Sequence, residues 1–394
     1  MSEPFTLSNA LFRTKWLLVG AVAISLAACG GKDDIVTAAP TPAPIQTSVT
    51  LLSAMSGDQE LPPTITGALG TGTLTLESPS LKLNGSFSVN GMTATAGHIH
   101  IGNTGANGPI IVPLTATGGS VFTVPANTTL TQAQATSFAE GGLYFNAHSA
   151  ENPSGEVRGQ IGREVFAAQM TNAQEVPTNA SAATGNGLLD FDPITKKITA
   201  RVTLSGLTAT MAHIHAGALG TNGPVIVTLA PLAAGSSVWV SAPDAVLTDS
   251  QITSLRAGGL YFNVHSAEFP GGEIRGQIGL NARFANLNAA QEVPTNASTA
   301  TGTGSLVVNP LSRMVSGSIA LSGITAVAAH VHLGAPGANG PVIITLVSSG
   351  VGVFSVPANT TFTAEQFKAY KQGNLYFNAH SAAFPGGEIR GQIR

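Results

Sequence analysis

Nine histidines are the residues of this chain best suited to chemistry, and they fall into three sets with the same internal spacing. The sets are His98, His100 and His148; His213, His215 and His265; and His330, His332 and His380. Each opens with a His-x-His pair. Side chains at i and i+2 of a β-strand share a face, so both imidazoles project together while Ile99, Ile214 or Val331 points into a core. The third histidine ends the run Leu143-Tyr144-Phe145-Asn146-Ala147-His148, in which Leu, Phe and Ala share one face and Tyr, Asn and His the other. All three imidazoles are therefore expected on polar strand faces, and neighbouring strands would gather them into one site on the outside of the domain. Three imidazoles with no cysteine nearby and no recurring methionine suit zinc or copper, one ion per domain, and copper binds more tightly at equal availability. Glu151 and Glu268 have Ala383 as their third counterpart, which leaves water or an open position as the fourth ligand. A hydrogen-bonded structural cluster copied by duplication is the competing reading. Against it, the residues around His98-Ile-His, His213-Ile-His and His330-Val-His have drifted while histidines and glycines have stayed.

The elements that position these residues recur as well. Gln59-Glu60-Leu61-Pro62, Gln174-Glu175-Val176-Pro177 and Gln291-Glu292-Val293-Pro294 open the repeats, and Gly155 to Ile161, Gly272 to Ile278 and Gly387 to Ile393 close them. This gives domains at 48–162, 163–279 and 280–394, expected to follow one another like closely strung beads, with no stretch left for a separate catalytic domain. Short runs rich in Val, Ile, Thr and Phe between Gly, Pro and Asn clusters read as strands near 72–76, 82–89, 97–101, 110–114, 121–124, 143–148 and 156–161. A short helix is expected to begin at Thr131 and end at Gly141 or Gly142, with counterparts at 248–257 and 363–371. The fold class is all-β: three tandem Greek-key sandwiches or barrels, each with one short helix. Period two also places Glu156, Arg158 and Gln160 on one face. A salt bridge from Arg158 to Glu60 is the expected role; an arginine guiding an anion to a metal is the sharper alternative.

Charged residues are only 9% of the chain, 17 basic against 20 acidic, and no basic run offers the footprint of nucleic-acid binding. Ser-His-Asp order and phosphate loops are absent from the sequence, which makes hydrolase and kinase readings poor. Residues 1–28 read as a signal peptide, with Arg13 and Lys15 ahead of an apolar run from Trp16 to Ser25. Leu26-Ala27-Ala28-Cys29 looks like a bacterial lipobox, and Cys29, the only cysteine, is the expected lipidation site. Gly30 after the cysteine resembles lipoproteins sorted to the outer membrane, on its periplasmic or surface face. Residues 29–47 then form a lipidated Pro/Ala/Thr tether.

These motifs together carry a family pattern. Gln-Glu-Val-Pro, Ala-His-[Ile/Val]-His-x-Gly, and Leu-Tyr-Phe-Asn-[Ala/Val]-His-Ser-Ala followed by Gly-Glu-[Ile/Val]-Arg-Gly-Gln-Ile resemble the CHRD domain, first named in chordin, three times over residues 50 to 394. The resemblance implies an immunoglobulin-like or superoxide-dismutase-like barrel, and extracellular ligand binding in chordin itself. A weaker likeness to copper/zinc superoxide dismutases rests on the His-x-His strand with Gly102, Gly105 and Gly108 behind it. It departs from that family in lacking further histidines for a zinc or bridging position and cysteines for the loop disulfide, so it implies a copper-only site at most.

The expectation that emerges is a lipid-anchored envelope protein, non-enzymatic, that binds an unidentified extracytoplasmic protein or polysaccharide and holds a three-histidine metal site in each domain. A copper-dependent redox enzyme and an adhesion or matrix protein acting by avidity are the alternatives.

Overall fold

A computed structural model describes residues 46–394, so the signal peptide, Cys29 and nearly all of the tether lie outside the described residues. In the first domain the chain forms β1 (Thr47–Ser56), β2 (Leu69–Ser78), β3 (Leu83–Asn90), β4 (Ala94–Ile101), β5 (Ile110–Pro113), β6 (Thr115–Gly118), β7 (Val121–Thr123), α1 (Gln132–Ala139), β8 (Leu143–Ser149) and β9 (Val157–Gln160). Every pairing is antiparallel, in the order β5-β4-β8-β9-β1-β2-β3-β7-β6. In the second domain one strand, Val225–Pro231, replaces β5 and β6, and the eight strands close into a barrel. The third domain repeats the nine-strand order of the first. The crossings from β3 to β4 and, through α1, from β7 to β8 make the Greek-key winding the sequence leads one to expect.

Strand alternation decides what fills each barrel. Leu74, Leu83, Phe87, Ile99, Phe145, Ala147 and Val157 are buried together in the first domain, and each large apolar side chain contributes roughly 1.5–3 kcal/mol by leaving water. The helix begins where its capping box stands: Thr131 accepts from the Gln134 amide N–H, and the Gln134 side chain accepts from Thr131 N–H. Thr248 with Gln251 and Thr363 with Gln366 repeat the box. β1 has no clear signature in the sequence. That strand turns Ser53 inward and leaves Leu52 half exposed, so its apolar alternation is broken at the positions where it would have been visible.

The domains are not beads. The first domain touches the third as well as the second. Asp58, between β1 and β2, accepts from Lys371 Nζ at 2.7 Å and from Asn281 Nδ2 at 3.3 Å, and both partners of this ion pair are almost wholly buried. Arg313 of the third domain donates to the Gly67 carbonyl and to Asn90 of the first, and Lys368 pairs with Glu151. Toward the second domain, Thr104 donates to Asp190, and the Arg163 guanidinium reaches the Glu140 carbonyl. A small cavity of about 70 Å³ lies where all three domains meet, lined among others by Gln59, Phe166 and Leu311. Short linkers made adjacency in sequence predictable; the contact between the first and last domains depends on residues 217 to 313 positions apart.

Candidate metal centre

β4 and β8 are paired neighbours, with His98 opposite Asn146, His100 opposite Tyr144 and His148 opposite Ala96. Two irregularities adjust the ladder: an extra residue, Thr95, stands beside the His148 end, and the register against β5 shifts between Ile99 and His100. Such bulges re-aim side chains. The outcome is that the three imidazoles of each domain converge, with one nitrogen from each lying within 4.8 Å of the other two. His98 Nδ1 is 2.9 Å from His148 Nε2; the corresponding separations are 3.2 Å for His213 and His265 and 3.0 Å for His330 and His380. Ile99 and Phe145, on the opposite strand faces, are fully buried in the core. The imidazoles therefore stand on the outer face, but the loop from Gly102 to Pro109 covers them in part, and His100 is only 8% exposed.

Backbone carbonyls fix which nitrogens are free. His100 Nδ1–H donates to the Gly108 carbonyl at 2.9 Å and His148 Nδ1–H donates to the Pro153 carbonyl at 3.1 Å, so both Nε2 atoms carry lone pairs: that of His148 accepts from His98 Nδ1–H, and that of His100 has no partner. This arrangement recurs through Gly223 and Pro270 and through Gly340 and Pro385. Nε2 of His100, His215 and His332 is buried with no hydrogen-bond partner. An unpartnered polar atom in every repeat, held in the ligating tautomer by its outer hydrogen bond, is what a metal site requires of its surroundings. Burial first, and repulsion from the neighbouring rings second, holds His98, His213 and His330 below the usual imidazole range; burial also lowers His100, His148, His215, His265 and His332. These eight rings are thus held toward the neutral form, the state in which imidazole binds metals. Glu151 is turned to Lys368 and does not join the cluster.

The covering loop is clamped from beneath. A Cβ at Gly108 would lie 1.7 Å from the Ile101 carbonyl oxygen, so only glycine allows the chain to return this close to β4. Gly108 N–H donates to the Tyr144 hydroxyl. Arg158 does not form the expected salt bridge with Glu60. Its guanidinium donates to the Asn103 and Ala106 carbonyls, both at 2.9 Å, and to Gln160 Oε1, and lies 3.6 Å from the centre of the Tyr144 ring. Tyr144 in turn stacks on His100 with centroids 4.8 Å apart and planes 12° from parallel. Arg275 with Tyr261 and His215, and Arg390 with Tyr376 and His332, build the same pillar. At 1% exposure, with both terminal nitrogens bonded to loop carbonyls and side chains, Arg158 holds the loop and is not placed to guide an anion.

Glu60 sits beside Asn146 instead. Asn146 Nδ2 donates to Glu60 Oε2, while Glu60 Oε1 and Asn146 Oδ1 are buried without partners on either side of Gly155, whose missing Cβ would lie 2.8 Å from both. Burial raises the Glu60 carboxyl to about 7 against the pull of Arg158, raises Glu175 likewise to about 7, and shifts Glu292 in the same direction. In the second and third domains the Asn263 and Asn378 Nδ2 groups each donate to both carboxyl oxygens of Glu175 and Glu292, and Oδ1 of each amide is buried without a partner. Because these folded values lie above the unfolded 4.5, the stability they contribute is full below 4.5 and is lost as pH rises through about 7. His100, His215 and His332 act oppositely: their contribution is present above 6.5 and is lost as pH falls through the lowered folded values. Glu60→Gln, Glu175→Gln and Glu292→Gln together keep a side-chain oxygen to accept from the Asn146, Asn263 and Asn378 amides and remove the carboxyl's pH dependence. In urea unfolding at about pH 5 and about pH 8, this chain should gain on the unmodified one at the higher pH. An unchanged gap between the two would show that the carboxyls are ionised throughout.

A family model for the CHRD domain matches residues 51–161, 166–278 and 283–393, almost the whole described part of the chain. The chain belongs to the CHRD family. No curated protein matches it. Each CHRD copy here contains one complete triad, one Arg–Tyr–His pillar and one Glu–Asn pair. Sequence periodicity placed Tyr144, Asn146 and His148 on one face, but the carbonyls of Gly108 and Pro153 that set the ring tautomers have no side-chain signature and could not be read from it.

Proposed function

We propose that this protein is a lipid-anchored metal-binding module of the bacterial cell envelope, in which each CHRD domain holds one copper or zinc ion through its three imidazoles. The observation that carries this reading is the buried, unpartnered Nε2 of His100, His215 and His332, each in a ring whose other nitrogen is committed to a backbone carbonyl. His98 and His148, with their counterparts, complete a ligand set that leaves a fourth position for water or a partner's donor atom. The metal serves binding, either of the ion itself or of an extracytoplasmic protein or polysaccharide presented to it.

Titration of the untagged chain with copper and with zinc is the test. Three equivalents per chain are expected, with no superoxide or oxidase turnover. Negligible binding of both ions would remove the proposal, and turnover by the copper-loaded chain would replace the binding role with an enzymatic one. The anchor has its own measurement. Cys29→Ala should move the protein from the membrane fraction to the soluble fraction of the cells, since the lobe of chain carrying the domains contains no helix long and apolar enough to cross a bilayer among its described residues. Equal membrane association of both forms would leave Cys29 without that role.

A further inference from the structure

One position next to the triad differs between the repeats. Ala96, Met211 and Ala328 stand at the same place in their strands, directly across from His148, His265 and His380. In the second domain Ala212 and Ile214 fill the core, so Met211 lies with His213 and His215 on the outer face, and it is 47% exposed. Met55 and Met170, by contrast, are fully buried core residues of the first two barrels. Directly opposed residues of an antiparallel pair have Cβ atoms about 4.5–5.5 Å apart, a gap that an unbranched side chain with three rotatable bonds spans. Met211 carries the one soft donor among the residues paired with or alternating with the triads on these strand faces.

We infer that Met211 supplies the fourth donor of the second-domain site, making it a three-imidazole, one-thioether centre that retains Cu(I), whereas the first and third sites remain three-imidazole centres. Soft thioether sulfur favours Cu(I) over zinc, while imidazole alone suits both. The inference rests on the metal binding proposed above, and the experiment separates the two.

The full chain is loaded with three equivalents of Cu(I) under reductant and challenged with a chromophoric Cu(I) chelator, and its copper is examined by X-ray absorption. One ion of the three should resist the chelator by about tenfold or more and show a sulfur neighbour. Met211→Leu, which keeps the bulk without the donor, should make all three ions equally labile, remove the sulfur signal and leave zinc binding unchanged. Ala96→Met should create a second retained ion. Three bound ions of equal lability with no sulfur neighbour would overturn the role of Met211 while leaving the triads as metal sites. Failure of the chain to take up copper at all would remove both readings.

Discussion

Lys371→Met is expected to lower the stability of the array by about 3–5 kcal/mol, seen as an earlier first transition in urea unfolding, because it strands a charge in the protein interior. The side chains of Lys371 and Asp58 are 5% and 8% exposed and joined at 2.7 Å, so neither has water to fall back on. Lys371 Nζ also lies 4.9 Å from the centre of the Phe367 ring, which favours the cation over any neutral replacement. Removing the amine leaves the Asp58 carboxylate with only the Asn281 amide, and desolvation of an unpaired ion costs far more than a surface pair contributes. The doubly substituted chain, Asp58→Leu with Lys371→Met, should recover most of the loss, since a well-packed apolar pair replaces a buried ion pair without large penalty. Small-angle scattering gives a second reading: the single variant should expand as the first and third domains part. A Lys371→Met chain as stable and as compact as the parent would mean that this contact does not hold the domains together.

The second large effect concerns the triads. His100→Ala, His215→Ala and His332→Ala in one chain should abolish copper and zinc binding, taking the titration from three equivalents to near none. Each substitution removes one of three protein ligands and also the bond to the Gly108, Gly223 or Gly340 carbonyl that shapes the covering loop. The metal-free variant should nonetheless fold. The rings it lacks present buried nitrogens that no protein group satisfies, so the loss of packing is partly offset by the removal of an unpaired polar atom. Circular dichroism unchanged with metal binding gone is the expected pair of results. Retention of three equivalents would show that the ions sit elsewhere.

Much of the centre was legible in the chain because its parts recur and obey period two. His98 and His100 had to share a face, and the Leu-Tyr-Phe-Asn-Ala-His run had to turn His148 away from Phe145; the observed pairing of β4 with β8 supplied only the meeting of the two faces. The barrel was legible for the same reason. What escaped has a physical common ground. Arg158 was assigned a carboxylate because sequences display charges, yet its partners are main-chain carbonyls of the loop at Asn103 and Ala106, which every sequence possesses and none advertises. The docking of the first domain on the third depends on residues that break the repeat. Asp58 is replaced by Ala173 and Ala290 at the equivalent positions, and Lys371 by Ala139 and Arg256, so the acid of this contact is found in the first domain alone. Shared residues made the site; unshared ones made the assembly.

The buried Asp58–Lys371 pair also bears on how three copies of one domain can act together. Modules on slack linkers find a second epitope by searching, and their effective concentration changes gently with its distance. Modules held together by buried contacts cannot search. Under the binding role proposed above, gain from the second and third domains would be confined to partners whose own repeat matches the fixed separations, and scattered single epitopes would be met one domain at a time.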